Sequence, residues 1–261
     1  MSKDLIALAG ETLPVRCWKL SGLPADQGRK ICETKGISSG SEEEWSNLID
    51  RYAGNPLALK IVASAIADFF NRDIASFLAF LAQGSFIFDE LRDLLQQQFQ
   101  RLTSLEKEVM YWLAIDRESV SLQDLQANFV GSISPGELLQ ALISLERRSL
   151  IEKRNGLYTQ QPVVMEYALT EFIERTAEEI IDRTFILLRS HALVKATARD
   201  CIRETQIRLI LQPTCKKLLA FFSSSANVEN HLQQSLSIIQ EKSDREMDYA
   251  AGNIINLLRQ L

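Results

Sequence analysis

Turn-forming residues are scarce: 11 glycines and 6 prolines in 261 residues, about half the share of an ordinary globular chain. That shortage excludes a sheet-rich sandwich with many tight turns and predicts long, uninterrupted helices. Cysteines number four, Cys17, Cys32, Cys201 and Cys215, and no two form a C-x-x-C pair. With only His191 and His231 to help them, they cannot compose a zinc site and read as reduced thiols of a cytoplasmic protein. Positive charge is not in excess either. The net charge of −5 removes the whole-domain electrostatic footprint of a nucleic-acid binder, although a local basic patch is still allowed.

Long apolar runs are also missing. The longest uncharged stretch, 74–88, contains Ser76, Gln83, Gly84 and Ser85 and falls short of the ~20 residues that cross a bilayer. Met1-Ser2-Lys3-Asp4 has an early acid and no apolar signal-peptide core behind it, so the expectation is a cytoplasmic protein with no membrane contact. No catalytic constellation is visible. There is no G-x-x-x-x-G-K-[ST] phosphate loop and no strand ending in paired acids for Mg²⁺. Both histidines read as helical and polar-flanked, away from any nucleophile motif, so no catalytic or metal-binding residue is expected.

What is present is helical patterning on a chain that is 46% apolar and 24% charged. A short helix-like piece, Asp4–Ala9, precedes an alternating segment, Leu13–Leu20, that predicts one strand. Ser41 and Glu44 form a capping box ahead of Trp45, Leu48, Ile49 and Tyr52. Gly54-Asn55-Pro56 ends that helix and opens the next, with Asn55 as N-cap and Pro56 as first helical residue. Further helices are predicted over Ile74–Ala82 and Phe86–Leu102. A second capping box, Thr103 and Glu106, opens a helix that is followed by two more, near Ser121–Phe129 and from Ser134. Asn155-Gly156 between two short β-runs then predicts a hairpin. Three helices and a hairpin compose a winged helix-turn-helix. Beyond it, one long helix is expected over Val163–Leu188, a second run over His191–Phe222 interrupted near Pro213, a helix capped by Asn227, and a last run over Asp244–Leu261. That last run is apolar to its end, so a partner or a following segment is expected to cover Ile254 and Leu258.

The fold class expected is therefore mainly α: a helical bundle, a winged helix with one small hairpin, and a C-terminal helical bundle. A DNA-binding winged helix carries basic or amide side chains in the leading turns of its reading helix. Here those turns hold Glu137, Gln140 and Ser144, and the basic residues come later, at Arg147, Arg148, Lys153 and Arg154. DNA binding through these four is an alternative that the placement disfavours. A stand-alone helical adaptor for a protein partner is another.

Gly54-Asn55-Pro56-Leu57-Ala58-Leu59-Lys60 followed by a winged helix resembles the helical half of NB-ARC proteins, the STAND class of signalling ATPases. Glu11-Thr12-Leu13-Pro14-Val15 looks like the end of their nucleotide-binding subdomain. Tyr158–Ala168 looks like the junction that carries their Met-His-Asp motif. Ala250–Leu258 is similar to a segment that precedes WD-repeat propellers or pentapeptide repeats in cyanobacterial members. The resemblance implies four segments: a remnant of the nucleotide-binding subdomain (1–20), a helical bundle (21–102), a winged helix (103–162) and a helical connector (163–261). It implies that Gly54, Pro56 and Leu57 close over the adenine of ADP or ATP, and that Gln161 stands where the family places a phosphate-sensing histidine. Gln161 can donate a hydrogen bond but carries no charge. The partners implied are a P-loop subdomain in cis or in trans, a C-terminal repeat domain or protein, and further copies of the chain on activation.

Overall fold

The computed structural model describes residues 22–82, 89–242 and 248–261. The expected helix Asp4–Ala9, the strand Leu13–Leu20, the Glu11–Val15 segment and the starts of two helices, at Phe86 and Asp244, lie outside those residues. The chain divides into two units, Met1–Leu78 and Ala79–Leu261. Both are built from helices, and the strands among the described residues form a single two-stranded sheet. The mainly α class is therefore observed.

In the first unit, α1 (Ala25–Glu33), α2 (Glu42–Arg51) and α3 (Pro56–Phe69) are followed by α4 (Ile74–Ala82), within which the division falls. The Ser41–Glu44 capping box is formed in both directions. Helix α1 packs on both α2 and α3, and Trp45, Leu48 and Ile49 of α2, Leu59, Val62 and Ile66 of α3, and Ile74 and Phe77 are all essentially without solvent contact. Gly28 of α1 lets the helices approach, since a Cβ there would lie 3.1 Å from both Ile49 and Leu59.

The second unit is organised around α6 (Ser104–Asp116), in which every residue from Val109 to Asp116 is buried. The Thr103–Glu106 capping box begins it. Burial opposes ionisation of Glu106, but hydrogen bonds from Ser144 and Thr103 and the Arg148 charge prevail and hold its carboxyl below the usual range. Around α6 lie α5 (Asp89–Gln100), α7 (Leu122–Ala127) and α8 (Pro135–Arg147), then β1 (Glu152–Arg154) and β2 (Leu157–Thr159). Asn155 and Gly156 both take positive φ, 52° and 80°, as the tight hairpin requires. Val120 adds an isolated bridge to β2 through paired backbone bonds to Tyr158 of 2.9 and 2.8 Å.

Beyond the hairpin run α9 (Pro162–Asp182), α10 (Ile186–Ser190), α11 (Asp200–Gln206), α12 (Gln212–Phe222), α13 (Ser225–Lys242) and α14 (Ala250–Leu258). Here the structure corrects several boundaries. The helix expected to reach Leu188 stops at Asp182, because Arg183 and Phe185 both turn left-handed, and Glu179 accepts the Leu187 N–H at 2.7 Å to start α10. The run expected from His191 begins only at Asp200; the intervening 191–199 is irregular. Near Pro213 the helix widens instead of breaking. Residues Ile207–Leu211 form a π turn in which the Gln212 N–H reaches the Ile207 carbonyl, giving the proline ring room against the preceding turn. Asn227 is not an N-cap: α13 starts at Ser225, and the Asn227 amide donates to the Phe222 carbonyl at 3.2 Å.

The apolar end of the chain finds its cover inside the same unit. Ile254 and Leu257 are fully buried and Leu258 is half-buried, with α14 packed on α13 and α10. Ile254 is thus covered within the unit, and Leu258 in part.

Candidate functional site

Two places carry the sequence-derived candidates, one in each unit. In the first unit, Gly54-Asn55-Pro56-Leu57 forms a rigid elbow between α2 and α3. Asn55 caps α3 by accepting from the Leu57 and Ala58 amides at 3.0 and 3.2 Å, and Pro56 occupies the first helical position. Gly54 takes φ of 62°, and its carbonyl accepts from Leu23 N at 2.8 Å. A Cβ on Gly54 would stand 2.3 Å from the Leu23 carbonyl oxygen, so glycine is required both by conformation and by the crossing strand of chain. Gly54 is buried while Pro56 and Leu57 face solvent, Leu57 at 49% exposure. The elbow thus offers a pre-formed apolar edge at a helix start. Gly54→Ala is expected to lower stability by about 2 kcal/mol or more, because it combines left-handed strain with a backbone clash. Thermal unfolding followed by circular dichroism checks this.

The second unit holds Gln161 and the four basic residues. Gln161 is the N-cap of α9 and half-buried; its Nε2 donates to Glu152 Oε1 at 3.3 Å, tying the helix start to β1. Beside it, Gln160 is buried and donates to the Met110 carbonyl at 3.0 Å. Three of the basic residues have partners of their own. Arg148 donates to the Arg101 carbonyl at 3.3 Å, Arg154 pairs with Glu152 at 2.8 Å, and Lys153 lies 5.3 Å from the centroid of the Tyr158 ring. Arg147 is exposed and has no ion pair among the described residues. On the same face of α8, one and two turns earlier, stand the exposed Ile143 and Leu139. These are apolar side chains where a reader of base edges presents polar ones.

Sequence reasoning missed a buried polar network that joins α6, α7 and the C-terminal helices of this unit. Asp116 accepts from Lys195 Nζ at 2.6 Å and from Asn128 at 2.8 Å. Gln206 donates to the Ile115 carbonyl and accepts from Lys195 N, both at 2.9 Å. Asn253 receives Leu193 N at 2.8 Å and donates to the carbonyls of Leu188 and His191 at 2.8 and 2.7 Å. Tyr249 Oη donates to the Asn128 carbonyl at 3.0 Å.

His191 is also unlike its sequence reading. It is extended, entirely buried and stacked on Trp112 at 4.9 Å, with Tyr111 and Phe172 on its other sides. Burial pushes its pKa down to about 4, so the ring is neutral at neutral pH. Its Nε2 faces the Glu108 carbonyl at 3.3 Å and its Nδ1 the Ser190 hydroxyl at 2.8 Å, an arrangement that suits the Nε2–H tautomer. The rings of Tyr111, Trp112 and Phe172 make this buried histidine part of the packed core. Among the described residues there is no group of three or more His, Cys, Asp or Glu that could hold a metal, and no helix long and apolar enough to cross a membrane.

A chain of this class, helical with one small hairpin and rigidly capped helix starts, has a counterpart of known sequence. It is 48% identical, over 98% of its own length, to an uncharacterized WD repeat-containing protein of the cyanobacterium Nostoc sp. (strain PCC 7120). The chain spans 23% of that relative's length and is thus related to a part of it. No protein-family model matches the chain.

Proposed function

We propose that the chain is the regulatory segment of a STAND-type (NB-ARC) signal-transduction ATPase and performs no catalysis by itself. In this reading α6, α7, α8 and the hairpin form a winged helix, the helices within 21–102 form a lid over the nucleotide, and α9–α14 form a helical connector. The supporting observation is the elbow at Gly54–Leu57: a glycine that only glycine can replace, a capped helix start, and an exposed proline edge suited to lie against a purine. The relationship to part of a WD repeat-containing protein supports a repeat domain beyond the connector.

The mechanism is a switch. With ADP bound to a P-loop subdomain, supplied in cis or in trans, the winged helix packs against that subdomain and holds the assembly closed. Exchange for ATP releases the helical half and exposes a surface for oligomerisation. Gln161 contributes at most an uncharged hydrogen bond to a phosphate, and must leave Glu152 to do so. The exposed Leu139 and Ile143 favour a protein surface over a DNA groove as the counterpart of α8.

Titration of ADP into the chain, followed by backbone amide resonances, tests the adenine contact. Shifts at Asn55, Leu57 and Ala58 at millimolar ADP, absent in Pro56→Ala, are the expected result. The affinity should be no tighter than millimolar, because the sequence has no phosphate loop. Unmoved resonances across Gly54–Ala58 would overturn the assignment.

A further inference from the structure

The second unit carries two exposed faces of opposite character, and both belong to the same chain. One is the α8 face, where Leu139, Ile143 and Arg147 follow one another at single-turn spacing and all face solvent. Its cation is unspent, and its two aliphatic side chains are 38% and 40% exposed. The other lies along the C-terminal half of α9. A cleft of about 370 Å³ there is lined by Glu171, Glu174, Glu178, Glu179 and Asp182 against one cation, Arg175, which already pairs with Glu171 at 2.7 Å.

Two of the most exposed apolar side chains of the unit stand on α10 and α12, the helices that pack on α9 beside this acidic cleft. Ile186, 69% exposed, follows the cleft residue Thr184 by two positions and begins the short helix whose amides bond to the Glu179 carboxylate. Phe221, 61% exposed, stands one turn beyond Lys217 of α12, and Lys217 pairs with Glu174 at 3.3 Å. The contacts of Phe222 with His231, and of His231 with the Ile180 carbonyl, bring the C-terminal end of α12 alongside that of α9. Phe221 therefore sits at the level of the second half of the cleft. Glu178 and Asp182 are exposed there, and neither has an ion pair among the described residues. Exposed apolar side chains ringed by charge mark association surfaces, and complementary charge fixes partner and register.

We infer that the α8 face of one copy of the chain docks on the α9–α12 face of another, with Leu139 and Ile143 against Phe221 and Ile186 and Arg147 against Glu178 and Asp182. The two faces differ, so the contact is heterologous, and each copy has one of each to offer. The inference is independent of the nucleotide reading, since every residue in it lies in the second unit.

Sedimentation of the chain over a range of concentrations tests it. Wild type should associate reversibly, more weakly at high salt. Arg147→Glu and Glu178→Arg should each weaken association by about tenfold, and the double reversal should recover most of it, since the two charges act on one contact. A mixing experiment then separates this geometry from a symmetric dimer. Ile143→Asp blocks one face and Phe221→Asp the other, both at exposed positions that leave the core untouched. Each variant alone should be monomeric, while a mixture should form dimers and nothing larger. Wild type that stays monomeric at every concentration, single-face variants that still self-associate, or a double reversal without recovery would each overturn the inference.

Discussion

Asn253→Leu is expected to cost about 4 kcal/mol of stability, because three buried backbone groups lose their partner at once while the side-chain volume hardly changes. The Leu193 N–H and the carbonyls of Leu188 and His191 are satisfied by this single amide, from a position only 2% exposed. Leucine fills the same space but leaves one donor and two acceptors dry. In a unit of this size that loss lowers the melting temperature by about 10 °C. Asn253→Asp should be at least as damaging, since a carboxylate would face two carbonyl oxygens where the amide donates to them. Urea unfolding of the two variants beside wild type gives the numbers. A loss under about 1 kcal/mol in both would mean that the segment 188–193 repacks without its clamp.

Acidification provides the second large effect, through His191. Its folded-state pKa of about 4 lies below the ordinary value of 6.5 because the ring is sealed between Trp112, Tyr111 and Phe172. Below pH 6.5 the unfolded chain takes up a proton that the folded chain refuses, so the unfolded state gains. Stability is therefore complete above about pH 6.5 and falls as the pH drops toward about 4, by about 3 kcal/mol in all. The groups facing the ring include the Glu108 carbonyl and the Ser190 hydroxyl, and neither titrates in this range. Two nearby carboxyls work in the opposite sense. Burial raises Glu108 and, despite the Leu187 amide, Glu179, so each favours the folded state as it protonates. The contribution of His191 is isolated by comparison with His191→Phe, whose unfolding free energy should be flatter between pH 6.5 and 4. Equal slopes in wild type and variant would show that the ring admits a proton while folded.

The elements that the sequence announced are those whose signals are local. Both capping boxes, the Asn55–Pro56 helix start and the Asn155–Gly156 hairpin depend on residues within four positions of one another, and each has the geometry its pattern demands. The C-terminal third was harder to read because long-range partners decide it. Nothing near His191 in sequence marks it as a core residue; the rings that enclose it come from positions 111, 112 and 172. A helical period runs through 191–199, yet tertiary bonds to Asn253 and Gln206 win those backbone groups. The apolar surface of α14 was legible as apolar, but the sequence could not say that α13 and α10 already cover it. Of the candidate site residues, Gly54 and Pro56 announced their local geometry, with the N-cap Asn55 between them. The pairing of Arg148 with the Arg101 carbonyl joins positions 47 apart in sequence and had no local signature.

Irregular backbone is usually taken for mobile backbone, and the segment 191–199 should break that habit. Leu193 N is held by Asn253, Lys195 N by Gln206, and the Lys195 ammonium by a carboxylate at the end of α6. The amide protons of Leu193 and Lys195 should therefore exchange with solvent as slowly as those in the middle of α6, and proteases should spare the segment although no helix or strand contains it. A stretch of chain with no repeating hydrogen bonds would then rank among the last parts of the unit to open, because its order is borrowed from side chains up to 79 positions away.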